Sequence, residues 1–565
     1  MRITPRILSL AIVAAFALLL PPSRCQAQTA SQESLLALVP SDVGLCVVVN
    51  DLRGHAQKWE RSPWVQSLRQ TSLVKAILDM PEARQIAGLE GELKKHLGID
   101  WPTLRDDILG DSVVLAYTPG TPAHPEQEQG MIALRAAKPR LLADLVDRFN
   151  RLQKDRGDLD VQGVKHLGVT YYRRTVGKNT YFYYLDGPLL IVAGSEPMLQ
   201  AAIARDLGKA KDASPWPARF ARAGAGKSLV TLGVNPRAFD LFPAPAKDGK
   251  STGFAGLWRA LDGVFVTLKA DTDIELRLSL QGRASDMPAW AQHLFKETPP
   301  PSVLWQRFPE PSILTIAART DFANLVDQML ATLPPDQRGK LTLGMQTAFN
   351  FFLGLDLFRD VLPNIGPDWG ICVLPAKEGA AGPQVIAALA VKPGSGPEPV
   401  DEALFRGVQM LAGIAIAEHN RNKPDTPIRI ETIHQGKVTV KVFSQDKLFG
   451  PGVRPAFALK DGFLLVASSP EAIARFGAHN ALVLSKSETP LLRLSPIELS
   501  QLLKQRRAQV IARLQEKQHL TKEDAERNLD QLLGILDLFE SVTFSQRSEP
   551  GQASWSLRAV PRGKH

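Results

Sequence analysis

Residues 221–235, ARAGAGKSLVTLGVN, approach the pattern of a phosphate-binding loop, in which a glycine-rich turn ends in Gly-Lys-Ser. Such a loop needs a glycine five positions before that ending, and Ala221 stands there. The loop also leaves a strand and opens a helix, so that backbone amides at the helix N-terminus meet the phosphate. Here a helix-like stretch precedes Lys227 and a strand-like stretch follows Ser228. We therefore predict a glycine turn and no nucleotide site.

Three carboxylates crowd the stretch RDDILGD (105–111), namely Asp106, Asp107 and Asp111. Clustered carboxylate oxygens are ligands that Ca²⁺ takes, but this spacing is not that of an EF-hand loop. A helix end that turns into a strand explains the cluster without a metal. We therefore predict no metal site here.

The ten histidines are scattered, without an HExxH segment or a close pair. His166 and His434 fall at matching points of two similar segments, each two residues before a glycine. We expect both side chains to face solvent at hairpin turns. Because no nucleophile elbow or Cys/His pairing is present either, the sequence predicts no catalytic, cofactor-binding or metal-binding residue and no cofactor.

Aromatic and basic residues mix in YYRR (171–174) and YFYY (181–184). Single-stranded nucleic acid is bound by such platforms. In an antiparallel sheet, however, alternating aromatic residues also form cross-strand packing pairs. We favour packing, and we expect no nucleic-acid partner.

Residues 1–27 have the layout of a secretory signal peptide. Arg2 and Arg6 precede an apolar run over residues 7–20, and Cys25-Gln26-Ala27 supplies small residues for a cleavage site. The run is shorter than the about 20 residues of a membrane span. We predict export to the periplasm or cell envelope, with cleavage after Ala27. An uncleaved signal anchor that tethers the protein to the membrane is the alternative.

Loss of residues 1–27 would remove three arginines and lower the formal net charge from +9 to +6, an excess spread along the chain. Cys46 and Cys372 would remain, both in apolar strand-like runs. Export permits a disulfide between them, but two buried free thiols are the plainer interpretation. The run VQMLAGIAIA (408–417) is too short to span a membrane and predicts a buried helix.

Short segments recur in the same order in the two halves of the chain. IALRAAKP (132–139) returns as IAALAVKP (386–393), and YLDGPLLIVAGSEP (184–197) returns as ALKDGFLLVASSP (458–470). Recurrence in order indicates duplication. We predict halves over residues 28–298 and 299–565, with a helical insert near 496–537 in the second half.

Each half alternates helix-like stretches with hairpins. Residues 169–194 predict three short strands broken at glycine turns, and Thr521 begins a helix with Asp524 three residues later. This pattern predicts an α+β fold of two tandem, duplicated halves, each a largely antiparallel sheet with packed helices.

Three segments together resemble exported bacterial proteins of the domain-of-unknown-function family 3352. They are the opening LVPSDVGLCVVVNDL (38–52), the strand LGDSVVLAY (109–117) and the unit DGFLLVASSP (461–470). The likeness extends over most of the chain after residue 27. It implies an exported protein without an assigned activity, and it supplies no catalytic residues.

We therefore predict a cell-envelope protein that acts by binding or as a structural component and is not an enzyme. Its partner is unknown; the candidates are an envelope protein and an apolar ligand. Two alternatives stay open: a carrier that holds an apolar ligand or lipid in a cleft, and an envelope hydrolase with a nonstandard site.

Overall fold

The computed structural model describes residues 30–71, 93–120, 127–155, 159–239, 253–331, 333–376, 382–393, 399–449, 452–477 and 487–563, with residues 74, 80, 91, 124 and 157. The predicted signal peptide and Cys25 lie outside the described residues. The chain divides into two compact units. Unit 1 holds Met1–Pro288 and Pro550–His565, and unit 2 holds Ala289–Glu549. The C-terminal segment, which the sequence analysis placed in the second half, thus belongs to unit 1.

The described part of unit 1 contains eleven strands. They are β1 Leu45–Asn50, β2 Ser112–Thr118, β3 Gln129–Arg135, β4 Leu159–His166, β5 Val169–Val176, β6 Asn179–Asp186, β7 Leu189–Ala193, β8 Val230–Val234, β9 Leu261–Ala270, β10 Ile274–Gly282 and, from the C-terminal segment, β20 Gln552–Pro561. Their spatial order is β4-β5-β6-β7-β3-β2-β1-β8-β9-β10-β20, and every pairing is antiparallel.

Glycine turns set the β4–β7 meander. Leu167 and Gly168 both have positive φ, of 51° and 93°, between β4 and β5. Gly177 and Gly187 also have positive φ in the next two turns. Two-residue hairpins favour such left-handed backbone because its twist matches that of the strands. The three strands predicted over residues 169–194 are confirmed as β5, β6 and β7.

Helices cover both faces of the sheet in unit 1. The α-helices of at least seven residues are α1 Ala30–Leu36, α2 Leu52–Arg61, α3 Pro63–Gln70, α4 Pro139–Lys154, α5 Glu196–Asp206, α6 Trp216–Arg222 and α7 Gly253–Ala260. Short helical turns lie at Leu93–Leu97, Trp101–Thr103, Leu104–Ile108, Ala225–Lys227, Pro236–Ala238 and Ala284–Asp286. Successive strand residues point to opposite faces. Ala133 accordingly packs in the core with α1, α5 and α6, whereas Leu134 packs with α4.

The described part of unit 2 contains nine strands. They are β11 Leu314–Arg319, β12 Ile365–Leu374, β13 Gln384–Val391, β14 Arg429–Gln435, β15 Val438–Ser444, β16 Ala456–Lys460, β17 Phe463–Ala467, β18 Thr489–Leu494 and β19 Phe539–Glu549. Their order is β14-β15-β16-β17-β13-β12-β11-β18-β19, again with antiparallel pairings throughout. This order matches that of unit 1 from β4 to β9, strand for strand.

The described part of unit 2 has its own set of α-helices. They are α8 Phe322–Ala331, α9 Pro335–Leu353, α10 Val400–Asn422, α11 Asp446–Phe449, α12 Pro470–Arg475, α13 Pro496–Gln505, α14 Arg507–Gln518 and α15 Lys522–Leu536. Short helical turns lie at Ala289–Phe295, Val303–Gln306, Leu357–Val361 and Leu362–Asn364. The last three helices fall where the sequence predicts a helical insert, and Thr521 caps α15 by accepting a hydrogen bond from the backbone N–H of Asp524. Within the part of the chain that the structure describes, no helix combines the length and the apolar composition that a membrane span requires. Antiparallel sheet with packed helices confirms the α+β class.

Candidate functional site

The glycine-rich segment at 221–235 is a structural turn. Helix α6 precedes it, Gly224 has a φ of 78°, and the chain then enters β8, which confirms the predicted order of helix, turn and strand. Ser228 is buried, and its hydroxyl donates to the carbonyl of Ala225 over 2.7 Å. The same carbonyl accepts a hydrogen bond from the Asn50 side chain. These polar groups form hydrogen bonds within the fold. The turn therefore has a structural role, which is to join α6 to the sheet.

The carboxylates of RDDILGD each contact a basic side chain. Asp111 accepts from Arg53 at 2.8 Å, and Asp107 accepts from Lys138 at 2.7 Å. Asp106 pairs with Arg105. The helical turn Leu104–Ile108 leads into β2, as expected for a helix end that turns into a strand. Within the described residues no group of three or more His, Cys, Asp or Glu could hold a metal ion.

A buried charged cluster surrounds Arg105, whose side chain is fully buried. Nη1 of Arg105 lies 3.6 Å from Oε1 of Glu60, and Nε of Arg53 donates to the carbonyl of Asp106. Burial raises the pKa of Glu60 although Arg105 and Arg69 oppose that shift. Burial lowers the pKa of His55. The sequence analysis missed this cluster because Arg105 lies at least 45 residues along the chain from Arg53 and Glu60.

His166 and His434 do not occupy the same ladder position. His166 pairs with Val169 and is the last residue before its turn, whereas His434 pairs with Thr439 one position earlier. The residue of β14 that matches His166 is Gln435. The predicted shared position is therefore wrong by one residue, which in a strand moves a side chain to the opposite face.

The aromatic residues of β5 and β6 pack across the strands. Tyr172 and Tyr183 are direct partners, and their rings stack at 4.9 Å between centroids. Tyr171 is fully buried, and its hydroxyl donates to Glu196. The Arg174 guanidinium lies 5.0 Å above the Phe149 ring. These contacts confirm the packing role that we predicted for the aromatic residues.

Cys46 and Cys372 are buried free thiols, which confirms the plainer interpretation of the sequence. Burial raises the pKa of Cys372 to about 12 and raises that of Cys46 as well. Nucleophilic cysteine chemistry needs the thiolate. Both thiols therefore stay protonated at neutral pH and pack as small apolar side chains.

An open pocket of about 510 Å³ lies in unit 2. Its lining combines prolines and alanines with polar side chains: Pro311, Pro375, Ala376, Gln384, Gln435, Glu471, Ala474 and Arg475. Three of these polar groups are already engaged: Gln384 donates to Ser469, Gln435 donates to the carbonyl of Pro470, and Glu471 accepts from Arg454. An apolar carrier would need an apolar cavity. Half of the residues that line this pocket are polar or charged.

Helix α10 leaves its second half uncovered, so the prediction of a buried helix over residues 408–417 is wrong. The buried residues of α10 are Val400, Ala403 and Gly407, all in its first half. Leu411 and Ile414 continue the same apolar stripe at helical spacing, but they are 48% and 53% exposed. The apolar stripe therefore continues past the part of α10 that the neighbouring structure buries.

Helices α8 and α9 also present apolar side chains to solvent. Helix α9 has no buried residue, and Leu343 and Phe351 are 66% and 79% exposed. Helix α9 contacts both α8 and α10. We call the following exposed large side chains of these three helices the apolar helix face: Leu325, Met329, Leu343, Phe351, Met410, Leu411 and Ile414.

The apolar helix face is the strongest candidate site of the described residues. The sequence analysis did not reveal it, because it made no prediction for α9 and predicted a buried helix over residues 408–417. The sequence matches no protein-family model, and the comparison with curated proteins gives no match. The resemblance to family 3352 therefore stays a prediction.

Proposed function

We propose that this protein is exported to the cell envelope and acts there by binding, and that the apolar helix face is the surface it uses. The observation that carries the proposal is the exposure of Leu343 and Phe351 on α9. Exposing apolar surface costs about 25 cal/mol per Å². Soluble monomers seldom show large contiguous apolar patches, and those that occur mark contact sites for proteins or membranes.

The location of the face supports binding over packing within the unit. Helix α9 anchors itself through Met345, Phe349 and Leu353, which pack against the core cluster of the Leu357–Val361 turn. Its opposite side follows the i, i+4, i+8 row Leu343, Thr347 and Phe351. The helix thus has one apolar side for its own fold and a second apolar side that its own fold does not use.

We also propose that the two units are duplicates. Gln129, the first residue of β3, accepts a hydrogen bond from Ser195, which caps α5. At the matching place in unit 2, Gln384 begins β13 and donates to Ser469, which caps α12. The common strand order supports the same conclusion. Under this correspondence α10 is the counterpart of α4, which buries Leu142 and Leu145.

The binding proposal is tested by photo-crosslinking in cells. A photoreactive phenylalanine analogue is placed at Phe351, and a matched analogue is placed at Asn528, an exposed position of α15 outside the face. We expect a discrete crosslinked adduct from position 351 and none from position 528. Equal adducts from both positions, or none from position 351, would contradict the proposal.

A further inference from the structure

The apolar helix face carries balanced charge. Its three helices contain four basic and five acidic residues, although the whole chain has a net charge of +9. They are Arg338, Lys340, Arg406 and Arg421 against Asp327, Asp336, Asp401, Glu402 and Glu418. Anionic bilayers attract surfaces with an excess of basic residues. The basic excess of this protein therefore lies elsewhere, and charge does not direct the face to an anionic membrane.

Large and small side chains alternate on the outer side of α9. Leu343 and Phe351 project, while Gly344 and Ala348 lie in the adjacent row at i and i+4. A side chain built at Gly344 would meet no atom within 4 Å, so open space surrounds this position. Projections and recesses on one surface allow the surface to fit a copy of itself about a twofold axis.

We propose that a second copy of this chain occupies the apolar helix face, with the two α9 helices crossing near Thr347. This inference rests on the proposed function and names its partner. A dimer interface of standard size buries about 800 Å² on each partner, contributed by about 20–30 residues. On the outer side of α9, Leu343 and Phe351 supply the apolar centre of such an interface, with small residues between them. Balanced charge suits it too, because an excess of one sign would repel the copy.

Sedimentation of the full-length gene product, as the cell processes it, tests the inference. We expect a concentration-dependent dimer for the wild-type protein and a dissociation constant at least tenfold weaker for Phe351→Asp. Asn528→Asp is the matched control, since it adds one negative charge to an exposed helix position outside the face. The control should sediment as the wild type does. Two results would overturn the inference. One is a wild-type chain that stays monomeric over a 100-fold range of protein concentration, and the other is a dimer that Phe351→Asp leaves intact.

A disulfide test locates the twofold axis independently. Thr347→Cys should form a covalent dimer under mild oxidation, whereas Asn528→Cys should not; the native Cys46 and Cys372 are buried. Absence of the covalent dimer at position 347 in a protein that sediments as a dimer would overturn the proposed crossing.

The two proposals can fail separately. If the chain is monomeric and the crosslinked adduct from position 351 contains another envelope protein, the dimer is wrong and the binding proposal stands. Flotation of the wild-type chain with anionic vesicles, lost in Phe351→Asp, would likewise overturn the dimer in favour of a membrane. A monomer without any adduct from position 351 contradicts both.

Discussion

Arg105 and Asp106 are neighbours in the chain and form a two-point ion pair, with Nε 2.7 Å from Oδ1 and Nη2 2.8 Å from Oδ2. The matching helical turn of unit 2 holds the same pair as Arg359 and Asp360, at 2.9 and 3.0 Å. The Arg105 side chain is fully buried, whereas that of Arg359 is 81% exposed. The same local geometry therefore stands in two solvent environments.

Arg105→Gln should destabilise unit 1 by about 3–5 kcal/mol, because it removes the buried guanidinium that pairs with the carboxylate of Asp106. Arg359→Gln is the matched control and should change the stability little, since solvent screens an exposed pair. Denaturant unfolding of both variants makes the comparison. Equal losses for the two variants would contradict the assignment of Arg105 to a buried cluster.

The stability of unit 1 should fall as the pH drops below about 6.5, the ordinary pKa of histidine, because of His55. Burial lowers the pKa of His55 in the folded protein, although Asp271 lies 3.2 Å from its Nδ1 and opposes the shift. Over that range the unfolded chain binds a proton that the folded chain does not, so stability rises with pH. The pH range of this dependence ends at the lowered pKa that His55 has in the folded protein.

His55→Gln should flatten this dependence between pH 7.5 and 5.5 in thermal unfolding, whatever it costs in stability at neutral pH. Glu60 lies on the same helix as His55. Its raised pKa acts with the opposite sign, giving stability that is lost as the pH rises above the ordinary pKa of a glutamate. An unchanged slope in His55→Gln would show that other groups set the pH dependence.

Ser195→Ala and Ser469→Ala should each cost about 1 kcal/mol, the usual value for loss of a helix N-cap. Each serine accepts a backbone N–H, from Met198 in α5 and from Ala472 in α12. Ser→Asp at either position keeps a capping acceptor and should recover part of the loss. Chemical denaturation measures all four variants. A cost at only one of the serines would weaken the case for equivalent elements in the two units.

Gly370→Ala should destabilise unit 2 by about 1–3 kcal/mol, the usual cost of overpacking. A Cβ at this position of β12 would lie 2.5 Å from the carbonyl oxygen of Ile316 and 2.9 Å from the Phe308 ring. Backbone atoms cannot move aside cheaply. Gly534→Ala in α15 is the control: its Cβ would meet no atom within 4 Å, and alanine favours a helix. That variant should unfold at an equal or higher denaturant concentration.

The local elements were predictable from the sequence. Glycine turns and alternating apolar residues gave β5, β6 and β7, and a Thr521 cap gave the start of α15. Each of these signals lies within a few residues of the element that it predicts, so no distant part of the chain is needed to interpret it.

The register of the repeats and the extent of burial were not predictable. Aligning His166 with His434 places the two strands one residue out of register. Short degenerate motifs do not reveal this shift, but the pairing of the strands does. The stripe of α10 shows apolar spacing through Ile414, but spacing does not show that the cover ends after Gly407. The cluster at Arg105 depends on contacts between segments about 50 residues apart, as in the bond from Arg53 to the Asp106 carbonyl.

Thiol labelling in intact cells tests the binding role of the apolar helix face most directly. Phe351→Cys and Asn528→Cys both place a thiol at an exposed helix position. We predict that a maleimide labels position 528 readily but labels position 351 at least tenfold more slowly in cells, and that dilution of the purified protein removes this protection. Equal labelling of the two positions in cells would contradict the central claim that a partner covers this face.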